Sequence, residues 1–145
     1  ALGQVSQPQT TRVGTEPPVI TPDPLKGQLQ EIEGYVPVEG GRLYYRVAGR
    51  GPAVILIHGG YLDHRMWDGQ VAALAEGHRV VRYDVRFHGR SPSEEVPFSD
   101  MVDLGVLMDS LEMPSATIVG LSMGGLVALE QMTRDSDNPA VEQVE

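Results

Sequence analysis

The pentapeptide Gly120-Leu121-Ser122-Met123-Gly124 lies between a β-branched run, Ala116-Thr117-Ile118-Val119, and a helix-prone run, Leu126-Val127-Ala128-Leu129-Glu130. A serine therefore stands at a strand-to-helix turn, so tight that the serine must take an unfavourable backbone conformation. The chain passes only if the residues two positions away on either side lack a Cβ, a demand that Gly120 and Gly124 meet. The pattern is that of a nucleophile elbow, with Ser122 the candidate catalytic residue and Gly120 and Gly124 its support.

Upstream, the apolar run Ala53-Val54-Ile55-Leu56-Ile57 ends abruptly in His58-Gly59-Gly60-Tyr61, which reads as a buried strand stopping in a glycine turn. In a parallel sheet, a loop leaving a strand's C-terminal end can present backbone N–H groups to the crevice at that edge. The N–H groups of Gly60 and Met123 are thus the candidate oxyanion hole, the second favoured also by the positive end of the helix opening at Met123. Gly59 and His58 support that loop. His58 is expected to be a structural imidazole bonded to the loop's own backbone rather than a base.

Two further segments complete the pattern. Asp84-Val85-Arg86-Phe87-His88-Gly89-Arg90-Ser91 follows the strand-like Arg79-Val80-Val81-Arg82-Tyr83, and Leu62-Asp63-His64-Arg65-Met66-Trp67 follows the glycine turn. With the elbow, these segments resemble the α/β-hydrolase family, nearest to its lactonases and small esterases, and the first is similar to that family's D-x-R-G-H-G-x-S stretch. The resemblance covers Tyr35 to Gln131, the N-terminal half of the family's catalytic domain. It implies an α/β fold with a mostly parallel, doubly wound sheet, truncated after the nucleophile helix. The parent activity it implies is hydrolysis of a small-molecule carboxylic ester or lactone through an acyl-serine intermediate. Relatives that cleave carbon–halogen bonds or epoxides resemble one another in carrying Asp at the elbow, so a serine there points to acyl transfer.

Two departures matter. Phe87 stands where the family has glycine, so either that position has negative φ here or a bulky residue carries a steric cost. The family's acid and histidine follow the serine in chain order, yet none of the 23 residues after Ser122 is histidine. The expectation is a nucleophile and an oxyanion hole without the general base, and feeble or no turnover by this chain alone. The alternatives are a carbon–carbon hydrolase or perhydrolase on the same fold, and a non-catalytic relative that binds a ligand or partner.

Composition narrows the remaining classes. The formal charge of −9 argues against nucleic-acid phosphate or anionic lipid as a partner, because both attract Lys and Arg. Apolar runs of about five residues fall far short of the roughly 20 that a membrane-spanning helix needs. There is no cysteine, no H-E-x-x-H and no paired histidine at ligand spacing, so no metal is expected. Gly-Leu-Ser-Met-Gly-Gly is neither a P-loop nor G-x-G-x-x-G, and no cofactor is expected either.

Residues 1–34 hold five prolines and no aromatic residue, and read as an extended or disordered leader before a hydrolase-like unit over 35–145. Such a spacer favours an exported protein whose signal peptide has been removed, with an excised piece or a cytoplasmic enzyme as the alternatives. The pattern beyond predicts a hairpin from Tyr35–Val38 and Leu43–Val47 around Glu39-Gly40-Gly41. Asp63 caps a helix with Trp67, Val71 and Leu74 on one face, and Ser99 caps another with Met101, Leu104, Met108 and Leu111. The polar stretch from Thr133 ends the helix after the elbow, and Ala140 to Glu145 either begin a strand or trail off.

Other polar and aromatic residues have structural readings. His88 shapes its loop, His64 starts a helix, and His78 enters a strand from the opposite edge. Tyr61 and Trp67 pack in the core or line a pocket, and Asp84 and Arg86 form a polar network that holds their loop. In the fold this chain resembles, the strand Ala116–Val119 lies between the strand ending at His58 and a later one. Left as an edge, residues 116–119 would invite self-association or a complementing polypeptide, or the chain occurs within a longer protein.

Overall fold

The computed structural model describes residues 29–136, with side chains to Thr133. Most of the expected leader, 1–28, and the expected trail from Ala140 to Glu145 lie outside the described residues. Strands β1 (Glu31–Val38), β2 (Gly41–Ala48), β3 (Ala53–Ile57), β4 (Arg79–Tyr83) and β5 (Thr117–Gly120) alternate after β3 with helices α1 (Asp68–Leu74), α2 (Asp100–Ser110) and α3 (Met123–Ser136). The sheet runs β1-β2-β4-β3-β5. The β1/β2 hairpin and the β2/β4 pair are antiparallel, whereas β4, β3 and β5 are parallel. Each parallel step needs a crossover, which the helices supply.

The central strand β3 shows why the sheet is covered on both faces. Its side chains alternate with period two, sending Ile55 and Ile57 to one face and Val54 and Leu56 to the other. The first pair joins Val81, Tyr83, Leu104, Leu107 and Val127 under α2 and α3. The second joins Ala48, Val71 and Val80 under α1, with Trp67 and Leu74 at its margin. A continuous apolar run is what a strand buried on both sides requires.

Several boundaries differ from the sequence expectation. The strand β1 opens at Glu31, inside the stretch read as leader, because Glu31 is held there by ion pairs with Arg46 and Arg82 from the neighbouring strands. Composition could not show this, since the order comes from pairing at long range. Gly41 belongs to β2, so the hairpin connection is Glu39-Gly40 alone. β5 is shifted by one residue from Ala116–Val119. The helix after the elbow passes Thr133 and runs to Ser136; the Thr133 hydroxyl donates to the Leu129 carbonyl and so is compatible with the helix.

The Asp63 cap closes first a short 3-10 turn, His64–Trp67, and only then α1. Ser99 caps α2 as expected, accepting from the Val102 N–H at 3.4 Å. Of the expected stripe, Leu104 is fully buried and Met108 and Leu111 pack half-buried against the core, as does Met101 at intermediate exposure, but the deepest face also takes in Asp103 and Leu107. Asp103 is accommodated on that inward face by its pairing with buried Arg86. Truncation of the fully buried Leu107 to Ala is therefore expected to cost about 2–5 kcal/mol. Met108→Ala should cost clearly less, a ranking that paired urea denaturation curves check.

Candidate active site

The elbow is built by backbone contact between β3 and the start of α3. The register pairs Ile57 with Gly120, so the loops leaving β3 and β5 begin side by side at the C-terminal edge of the sheet. The Leu121 N–H donates to the Ile57 carbonyl at 3.1 Å, and the Gly124 N–H to the Leu121 carbonyl at 2.9 Å. A Cβ on Gly120 would overlap the Gly124 carbonyl, and one on Gly124 would overlap the carbonyls of Ile57 and His58. Both glycines are thus required by close approach. Between them Ser122 is exposed and held at φ +52°, a left-handed conformation that costs a non-glycine residue roughly 1–2 kcal/mol.

The glycine turn after β3 faces this elbow. Gly59 is buried, and a Cβ placed on it would lie 3.4 Å from the Leu121 carbonyl oxygen. Among the described residues, neither the Gly60 N–H nor the Met123 N–H donates a hydrogen bond. The second is one of the four N–H groups that every helix N-terminus leaves without an intrahelical partner.

His58 ties the turn to the next loop. The Val85 N–H donates to His58 Nε2 at 2.9 Å, which makes Nε2 the acceptor and places the ring proton on Nδ1. Nδ1–H then donates to the Gly59 carbonyl at 2.8 Å. Burial pushes the His58 pKa down, the Gly59 hydrogen bond opposes that, and His88, whose ring centroid lies 5.1 Å away, adds to it. Both ring nitrogens of His58 are thus engaged within the protein.

The other histidines are also engaged. His64 is buried, and its Nδ1 lies 2.8 Å from Asp84 Oδ1. His78 Nδ1 lies 3.2 Å from the Leu74 carbonyl and His88 Nδ1 2.9 Å from the Arg86 carbonyl. All four histidines of the sequence precede Ser122.

Asp84 and Arg86 form the polar scaffold of the loop after β4. Asp84 is fully buried and accepts the His64 N–H at 2.7 Å on Oδ1 and the Arg90 N–H at 2.8 Å on Oδ2. The Arg86 guanidinium grips Asp103 through Nε at 2.9 Å and Nη2 at 2.8 Å, while Nη1 donates to the Glu39 carbonyl and to Ser93 Oγ. The Asp103 carboxylate holds Arg86 firmly in its charged form.

The structure decides two single-residue readings and brings one grouping together. Phe87 has φ +66°, so the bulky residue in the family's glycine position does carry the steric cost. Tyr61 does not pack in the core: its φ of +62°, in the turn closed by Leu62 N–H to the Gly59 carbonyl, leaves the ring fully exposed among the described residues. Asp63, His64 and Asp84 bring one potential metal-ligand atom each within 4.8 Å, a grouping hidden from the sequence because Asp84 is distant in the chain. Its atoms are already engaged within the protein. Arg65 pairs with Asp63 and holds that carboxyl well below the usual range, while Asp84 takes the two backbone N–H groups and the His64 ring.

A sheet with parallel β4-β3-β5, helices on both faces and a strained, exposed serine in the tight turn between β5 and α3 defines a doubly wound α/β protein. Residues 54–143 match the model of the alpha/beta hydrolase family, and the chain belongs to that family. It is 40% identical over 82 residues to 3-oxoadipate enol-lactonase 1 of Acinetobacter baylyi, covering 54% of this chain and 30% of that one. It is 39% identical over 88 residues to the pimeloyl-[acyl-carrier protein] methyl ester esterase of Methylococcus capsulatus, covering 61% and 34%. The crystal structure of the enol-lactonase from Burkholderia xenovorans LB400 superposes with a TM-score of 0.67 at 38% identity, over 72% of this chain and 43% of that one. The chain spans about a third of the length of these curated relatives.

Folding keeps His58 neutral, so its contribution to stability is complete above the unfolded value of about 6.5 and is lost as pH falls below it toward the lowered folded value. The urea midpoint is expected to drop between pH 7.5 and pH 5. His58→Gln, which keeps an acceptor for the Val85 N–H but no titrating ring, should flatten part of that drop.

Proposed function

We propose that this chain is the nucleophile-bearing part of a serine hydrolase acting on carboxylic esters or lactones. The observation that carries this reading is the left-handed, exposed Ser122 between two glycines whose missing Cβ atoms the backbone contacts demand. In the proposed reaction Ser122 Oγ attacks the acyl carbon to give an acyl-serine, which water then hydrolyses. The N–H groups of Gly60 and Met123 stabilise the oxyanion, the latter assisted by the α3 dipole. His58, Gly59, Gly120 and Gly124 keep those donors and the nucleophile in register. The general base and its acid come from polypeptide outside these 145 residues. The lactonase and esterase named among the relatives support the substrate class.

A fluorophosphonate probe applied to the full-length hydrolase tests this directly. Labelling is expected at Ser122 and is expected to vanish in Ser122→Ala; an unlabelled Ser122 with an intact fold would favour a ligand-binding relative without turnover. For the 145-residue polypeptide alone, ester turnover is expected to be very weak. Loss of a triad member leaves roughly 10³–10⁴ over water only when oxyanion hole and pocket are assembled.

The same reading includes a partner for the sheet edge. In the described sheet β5 pairs on one side only, with β3, and its own Val119 is exposed. The adjoining α3 exposes Leu126, Leu129 and Met132. No Lys or Pro interrupts Thr117–Gly120 to discourage strand addition. We infer that another strand completes this edge, from a longer protein, a second polypeptide or a second copy. Protection of the Thr117–Val119 amides against hydrogen exchange should rise on association, read beside the mass in solution. A monomer that stays soluble with those amides exchanging freely would count against it.

A further inference from the structure

The loop after β4 carries strain that its own packing does not explain. Phe87 is held at φ +66°, a conformation that favours glycine, and its ring remains 52% exposed. A phenylalanine retained in such a backbone for core packing would be buried. Instead its ring meets Phe98 edge-to-face, with centroids 5.5 Å apart, and Phe98 is itself 46% exposed. The partner ring is anchored: the Arg86 guanidinium lies 5.0 Å from the Phe98 centroid and is locked below by Asp103. The fold therefore holds two apolar rings rigidly at the surface.

Their place connects them to the proposed site. Phe87 follows the C-terminal end of β4 and Phe98 precedes α2, so both stand at the sheet edge that presents the serine. The neighbouring His88 ring lies tilted against His58, with centroids 5.1 Å apart, and His58 holds the Gly59 carbonyl in the turn facing the elbow. Leu62 and Leu121, each about half exposed, lie against Gly59, and Leu121 immediately precedes Ser122. The geometry points to Phe87 and Phe98 as a specificity-determining wall, which receives the apolar carbon chain of the ester or lactone bound at Ser122. This assignment rests on the acyl-serine reading above. A glycine at position 87 would leave the Phe98 face without its partner and the wall lower by one ring.

The full-length hydrolase is assayed with p-nitrophenyl hexanoate and p-nitrophenyl acetate, beside Phe87→Gly, Phe87→Tyr and Phe98→Ala. Phe87→Gly removes the backbone strain and is expected to raise the melting temperature while lowering the hexanoate-to-acetate ratio of kcat/KM by about tenfold, mainly through KM for hexanoate. Phe98→Ala should lower the same ratio without the gain in melting temperature, and Phe87→Tyr should keep it. An unchanged ratio in both Phe87→Gly and Phe98→Ala overturns the assignment, whichever way stability moves. A fall in melting temperature beside that unchanged ratio would show the rings covered by protein rather than by substrate. If Ser122 of the unaltered enzyme resists a fluorophosphonate, the acyl-serine reading fails and this one with it; a labelled Ser122 with an unaltered ratio removes the wall alone.

Discussion

The architecture depends on how closely the first turn of α3 approaches the end of β3. With no side chain at Gly120 or Gly124, the helix start sits against the carbonyls of Ile57 and His58, and the Leu121 N–H closes the contact. That approach sets three features at once. It forces Ser122 into the left-handed region, it seats the start of α3 against the end of β3, and it brings the turn at Gly59 beside the elbow. A sheet whose central strands were one residue out of register would lose all three, because period-two alternation would also exchange the two apolar faces of β3.

Around this contact the protein uses buried polar groups as spacers. Asp84, Arg86, Asp103 and His58 are almost wholly withdrawn from water, and each is matched by hydrogen bonds to backbone or to an opposite charge. Such groups add little net stability over an apolar replacement, but removal of one partner strands the other in a poor solvent. Their effect is to define loop geometry: Asp84 fastens the segment around His64 and Arg90, and Arg86 fastens β4's loop to α2 and the hairpin. Less favourable burial occurs near the same place. The Tyr83 hydroxyl is buried without a partner and its pKa is driven up, first by burial and then by Asp100 and Asp103; burial likewise raises the Asp100 pKa.

The elements with strong local signals could be read from the sequence. The elbow was visible because its glycines answer a steric demand at fixed spacing, and β3 because an unbroken apolar run has few alternatives. What escaped was fixed by contacts distant in the chain. Glu31 looks like one more polar residue after a proline-rich stretch until Arg46 and Arg82 are brought beside it. On α2 the apolar stripe through Leu104 is legible, but the inward Asp103 is not, because its burial is tolerable only through a pairing with Arg86 that lies far away in the chain. The sign of φ at Phe87 could be posed as a question but not answered, and the outward Tyr61 follows from a turn whose closure is a single backbone hydrogen bond. The Asp63, His64 and Asp84 grouping depends on a crossover that places two loops at one sheet edge.

The outward face of α3 has a thermodynamic consequence. Leu126, Leu129 and Met132 are each more than three-fifths exposed in the folded chain, so unfolding transfers little additional apolar surface from them to water. The heat-capacity increment and denaturant sensitivity of unfolding scale with newly exposed surface. Both quantities are thereby reduced relative to a chain of equal length with that face covered, and the stability curve of these residues is flatter. A covering partner would steepen it, adding curvature in temperature together with the free energy of contact.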